Sequence, residues 1–253
     1  MIEVTANNVK FSAYRADPEG PPKGAVVVLQ DVFGVTADIR KIADDFAAAG
    51  YVAVAPALFD KVKSNIELDT SAAEEGRGIT TELGREWPLE AIQATVDTVK
   101  DAGKVALVGY AWGGYLAYMA ANKVQGLACA IGYHADGLLE GVREKRRVPT
   151  LIHFAEQDPA IPEEEIIQFR AWRPDVSAFL YPGATRGFVY SAAPTYNAEA
   201  AEKAKERTLY WLSQYVVGQG PVQMKNAGAY AQAKTEKKGK KKPEADDMGP
   251  PVD

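Results

Sequence analysis

Residues 105–121 read VALVGYAWGGYLAYMAA: an apolar run, a glycine-rich turn, then apolar residues at helical spacing. Within it, Gly109-Tyr110-Ala111-Trp112-Gly113-Gly114 sets glycines two positions either side of Ala111. Small residues at those places let strand and helix backbones come close while the apex residue takes a strained conformation, an arrangement that presents a nucleophile. Here the apex ends in a methyl group, which attacks nothing. Such a turn can also cradle a phosphate, but this spacing matches neither the dinucleotide fingerprint nor the P-loop lysine motif.

The elements that must position this turn follow from the apolar pattern. EVTANNVKFSAY alternates as edge strands do, and GAVVVLQ (24–30) reads as a buried strand. In TADIRKIADDFAAAG, Ile39, Ile42, Phe46 and Ala49 recur at helical spacing, with Thr36 placed to cap the start and Gly50 just past the end. YVAVAPALF is a strand running into a loop. KVKSNIELDTSAAEEGRGITTELGREW is polar and weakly periodic, which fits an irregular lid or short helices. From PLEAIQATVDTVKDAG, a helix with Pro88 near its first turn, strands KVALVG, GLACAIGY, VPTLIHFAE and VSAFLYPG alternate with helices GGYLAYMAANK, IPEEEIIQFRAW and NAEAAEKAKERTLYWLSQYV. This order predicts an α/β fold, a doubly wound, mostly parallel sheet with helices on both faces and ligands at the strand C-terminal ends.

With 253 residues, 47% hydrophobic and 25% charged, the chain is an ordinary globular one of one main domain. A formal net charge of −5 makes nucleic acid no default partner. The N-terminus lacks a basic and then apolar leader, and no run reaches the roughly 18 apolar residues of a membrane span, so a cytoplasmic location is expected. The single cysteine, Cys129, falls in an apolar run and is expected to be a buried thiol. Residues 218–253 change composition abruptly, with Lys237, Lys238, Lys240, Lys241 and Lys242 followed by Glu244, Asp246 and Asp247. They are expected to be a disordered, charged tail after a domain of residues 1–217, serving either solubility or docking to an acidic protein partner.

Five blocks occur in order around the turn: QDVFGV (30–35), YVAVAPALF (51–59), the elbow itself, HFAEQDPAIP (153–162) and YPGATRGF (181–188). Together, over roughly residues 1–216, they resemble the dienelactone hydrolase family. The resemblance implies an α/β-hydrolase fold and a Cys-His-Asp triad that cleaves lactones or esters, with no cofactor or metal. Carried over residue by residue, it places the nucleophile at Ala111, the acid at Asp158 and the base at Arg186. Only the acid remains. A methyl group forms no covalent intermediate, and a guanidinium stays protonated at physiological pH and cannot take a proton. A substitution made to trap substrate would not require a second change at the base, so both read as a natural loss of the triad.

The resemblance also implies an oxyanion hole from the backbone N–H groups of Val32 and Trp112. Arg186 then has two readings: it brings a cation to that pocket to hold a small carboxylate or other anion, or it simply pairs with Asp158. Asp31, where the family commonly has a glutamate, is expected to pair with Arg186, bind a ligand cation or cap the following turn. Tyr190 stands about where the family holds a substrate carboxylate with arginine; Arg77 and Arg85 in the lid are either replacements or solvated surface groups. The two histidines, His134 and His153, fall outside the base block and are expected to be structural or pocket-lining. The sequence therefore predicts a catalytically inactive family member that binds a ligand or protein. The alternative is an ester or lactone hydrolase with a non-standard site, drawing on Asp31, His134 or the Ser191 hydroxyl.

Overall fold

The computed structural model describes residues 1–218 of the chain. The expected tail lies outside the described residues. Two edge strands, β1 (Ile2–Ala6) and β2 (Val9–Ala16), open the chain, followed by β3 (Ala25–Leu29), α1 (Ala37–Ala48) and β4 (Val52–Pro56). After two short 3-10 turns come α2 (Ala73–Leu83), α3 (Glu86–Val99), β5 (Val105–Tyr110), α4 (Trp112–Lys123) and β6 (Leu127–Tyr133). The order closes with β7 (Thr150–Gln157), α5 (Glu163–Trp172), β8 (Ser177–Thr185) and α6 (Ala198–Leu212).

The strands form one sheet in the order β1-β2-β4-β3-β5-β6-β7-β8. β1 and β2 pair antiparallel, as does β2 with β4, and all pairs from β4 through β8 are parallel. Because side chains alternate along a strand, each central strand must be apolar on both faces. In β3, Val26 and Val28 pack under α1 and α6, whereas Val27 and Leu29 pack under α3 and α4. A third cluster, around Phe154, Phe169 and Tyr118, fixes α5 beside β7. Each such side chain contributes about 1.5–3 kcal/mol on burial, which holds the strand ends in register at the edge where the site lies.

The segment between β4 and α3 contains a regular helix. α2 buries Ile79 and Leu83, one turn apart, and uses Gly76 to approach the QDVFGV loop: a Cβ at Gly76 would collide with the Val32 carbonyl. Thr36 occupies the N-cap position of α1, but its side chain makes no capping hydrogen bond.

Candidate active site

Ala111 sits between β5 and α4 with φ 49° and ψ −112°, a backbone conformation that costs a non-glycine residue about 1–3 kcal/mol. The strain is held by packing. A Cβ on Gly109 would strike the Gly113 carbonyl, and one on Gly113 would strike the carbonyls of Leu29 and Gln30, so these glycines let α4 cross directly over β5 and β3. The Ala111 N–H donates to the Tyr133 carbonyl at 2.8 Å, tying the apex to β6. The geometry of a nucleophile elbow is thus complete while its side chain is a methyl.

The loops after β7 and β8 bring Asp158 and Arg186 together. Arg186 Nη1 donates to both Asp158 carboxylate oxygens at 3.2 Å, and Nη2 donates to Asp136 Oδ2 at 3.0 Å. Asp136, from the loop after β6, has no counterpart in the expectations from sequence. The Asp158 side chain is fully buried, whereas that of Arg186 retains 28% exposure. Asp158 Oδ1 also accepts from the Ala160 N–H at 2.9 Å. The guanidinium is therefore engaged by two carboxylates.

Asp31 does not bond to Arg186. Its Oδ1 accepts the Phe33 N–H at 2.8 Å, capping the turn after β3, and its Oδ2 accepts from the Tyr190 hydroxyl at 3.0 Å. Burial pushes its carboxyl above the usual range, opposed by those two hydrogen bonds. Val32, in the turn after β3, and Trp112, the first residue of α4, are half-buried, and their N–H groups donate to no protein atom among the described residues. Trp112 begins α4, so the positive end of that helix's dipole lies at the same place. Arg77 is exposed, and Arg85 forms an exposed ion pair with Glu140, so both are surface groups.

His134 also has a left-handed backbone (φ 51°) and is fully enclosed, with Nδ1 3.9 Å from Asp158 Oδ2 and the ring edge-on to Phe188. Neither ring nitrogen has a hydrogen-bond partner among the described residues. Burial first, and the Arg186 charge second, push it down to about 3. His153 is buried in β7 within a hydroxyl chain: Nδ1 lies 2.8 Å from the Tyr181 hydroxyl and Nε2 3.1 Å from Thr208 Oγ1. Burial, then Arg207, push it down to about 3 as well. Burial therefore favours the neutral ring at both positions near neutral pH. Cys129 is buried in β6, where burial pushes its thiol up to about 12. Ser191 is exposed, beyond the Arg186 loop.

The profile described as the dienelactone hydrolase family matches residues 11–216. Carboxymethylenebutenolidase 1 of Cupriavidus pinatubonensis is 30% identical over 227 residues, covering 84% of this chain and 95% of that protein. The carboxymethylenebutenolidase of Pseudomonas putida is 30% identical over 216 residues, covering 80% and 91%. Among solved structures, the dienelactone hydrolase-like promiscuous phosphotriesterase P91 from metagenomic libraries superposes with a TM-score of 0.69 at 18% identity, over 85% of this chain and 96% of that one, a likeness of fold. Matching blocks, elbow backbone and sheet order agree, and the chain belongs to the dienelactone hydrolase family of α/β-hydrolases.

Proposed function

We propose that this family member does not run the acyl-enzyme reaction and that its role is binding, on a hydrolase scaffold whose former active site is closed by an ion pair. The observations that carry the reading are the methyl group of Ala111 at the elbow and Arg186, held by Asp158 and Asp136. Ester cleavage on this fold needs a nucleophile at the elbow and a base that removes its proton; the two act as a unit whose removal lowers turnover by about a millionfold. Among the described residues, neither His134 nor Asp31 is placed to substitute. His134 is neutral and enclosed, and Asp31 already accepts two hydrogen bonds.

The two carboxylates on Arg186 also bear on what the site binds. They neutralise the cation, which removes much of its attraction for a small carboxylate and favours the ion-pair role over anion capture. For an anion, the remaining donors are the Val32 and Trp112 amides. The names of the relatives concern reactions of those proteins; what the matches support for this chain is the family scaffold.

Assay of the purified chain with p-nitrophenyl acetate and small lactones tests the proposal. Rates at the buffer background, unchanged by Asp158→Ala, are expected. Saturable turnover that Asp158→Ala removes contradicts it and favours a hydrolase with a non-standard site.

A further inference from the structure

A concavity lies on the α1/α6 face of the sheet, and Ala111, Asp158 and Arg186 are not among its lining residues. It is a cavity of about 240 Å³ whose floor is Tyr110 and Tyr133 and whose walls include Tyr190 and Tyr196. Tyr110 stacks on Tyr133 with ring centroids 4.9 Å apart, and Tyr190 lies 5.9 Å from Tyr110 at 42°. Two of these hydroxyls are engaged: Tyr133 with Thr208 at 2.6 Å and Tyr190 with Asp31 at 3.0 Å. Tyr110 is different. It is 5% exposed, its hydroxyl bonds to no protein atom among the described residues, and that oxygen is not sealed from the cavity. A buried phenol without a partner is costly unless something in the cavity satisfies it.

The charges around the cavity favour one sign of ligand. Asp38, Asp45 and Glu202 line it against Lys41 and Lys205; Lys41 and Asp45 pair with each other at 3.0 Å, which leaves Asp38 and Glu202 against Lys205. Asp31 lies immediately behind the Tyr190 hydroxyl and adds a further carboxylate. No protein cation lies over any of the four tyrosine rings among the described residues, although cations do cover rings elsewhere, as Arg207 covers Phe179 at 4.1 Å. Tyrosine faces with nearby carboxylates attract organic cations through the ring quadrupole. The volume falls below the roughly 300–1,000 Å³ of pockets for drug-sized ligands, which limits the occupant to a molecule of about one ring.

We propose that this cavity is a binding site for a small organic monocation with an apolar body, of the arylammonium or alkylammonium class. Its charged group lies on the Asp38 side, and Tyr110 supplies the hydrogen bond from within the cavity. The site takes Tyr110 from the elbow but not Ala111, Asp158 or Arg186, and it does not rest on the loss of the triad. Loss of binding leaves the ester assay as it was, and ester turnover leaves the charge preference of this cavity as it was.

Three probes of one shape and different charge test the assignment on the full chain: benzylammonium, benzyl alcohol and benzoate, followed by two-dimensional NMR and calorimetry. Benzylammonium is expected to bind about fivefold to thirtyfold more tightly than benzyl alcohol, and benzoate more weakly than either. Asp38→Asn is expected to narrow the gap between the cation and the alcohol while leaving the alcohol unchanged. Ala201→Trp, which fills the cavity from α6, is expected to abolish binding of all three. Benzoate binding as tightly as benzylammonium overturns the proposal, as does absence of saturable binding, or binding that survives Ala201→Trp in a chain with unchanged circular dichroism. Should Ala201→Trp fail to fold, the charge series and Asp38→Asn decide the matter.

Discussion

Replacing Arg186 with methionine keeps the apolar stem and removes the guanidinium, leaving the enclosed Asp158 carboxylate with the Ala160 N–H as its remaining donor at 2.9 Å. Removing one partner of a fully buried pair costs about 3–5 kcal/mol, whereas exposed pairs contribute about 0–1 kcal/mol. Asp158 is fully buried and Arg186 28% exposed, so the expected loss is intermediate, about 2–3 kcal/mol. For a domain of this size that is a fall in Tm of about 5–10 °C. A second readout comes from His134. Arg186 is one of the two causes that hold its pKa down, and Asp158 lies 3.9 Å from its Nδ1, so Arg186→Met is expected to raise it. The chain has two histidines, so both ring protons can be followed by NMR across a pH titration, with His153 as the internal control. A double-mutant cycle with Asp158→Asn isolates the pair. A loss below about 1 kcal/mol, additive with Asp158→Asn and with His134 unmoved, refutes the reasoning that this ion pair closes the site.

Three further outcomes follow from the same geometry. Ala111→Gly relieves the positive φ of the elbow, and since that strain of about 1–3 kcal/mol outweighs the usual glycine penalty of about 0.5–1 kcal/mol, a gain of about 1 kcal/mol is expected, read as a higher urea midpoint at unchanged m; a loss of stability would show that the elbow is unstrained. The two buried histidines have folded pKa values near 3, below their unfolded values. Between about pH 3 and 6.5 the unfolded chain binds more protons, so their stabilisation is fully present above about 6.5 and is lost on acidification by about 1.4 kcal/mol per pH unit for each ring; His134→Asn, which tolerates the left-handed backbone, is expected to remove one proton's worth of that slope, and an unchanged slope would contradict it. Cys129, with a thiol pushed up to about 12 by burial, is expected to resist a thiol reagent at pH 8 until urea unfolds the chain, whereas stoichiometric labelling of the native state would show that it is accessible.

The parallel strands were legible because burial on both faces demands unbroken apolar runs, and VALVGY and AVVVL supply them. α2 was less legible. Its apolar face amounts to Ile79 and Leu83, and its closest contact is made by the absence of a side chain at Gly76, a signal that becomes meaningful only once Val32 is in place. At the site, the spacing of glycines marked the elbow at Ala111, whereas Asp158 and Arg186 followed from the resemblance of HFAEQDPAIP and YPGATRGF to the family's blocks. The choice between an ion pair and an anion trap could not be read from the sequence, because it turns on Asp136, which reaches Arg186 only when the loops after β6 and β8 meet. For Asp31 the turn cap was one of three readings that the sequence left open. Its second bond, to Tyr190, spans 159 residues of sequence and has no local signal.

The central claim is that the elbow has kept its backbone and lost its acyl-transfer groups. Intact-protein mass spectrometry of the native chain during incubation with an activated ester tests it most directly. An unmodified mass at every time point is the result expected here; an acyl adduct that forms and then turns over would contradict it.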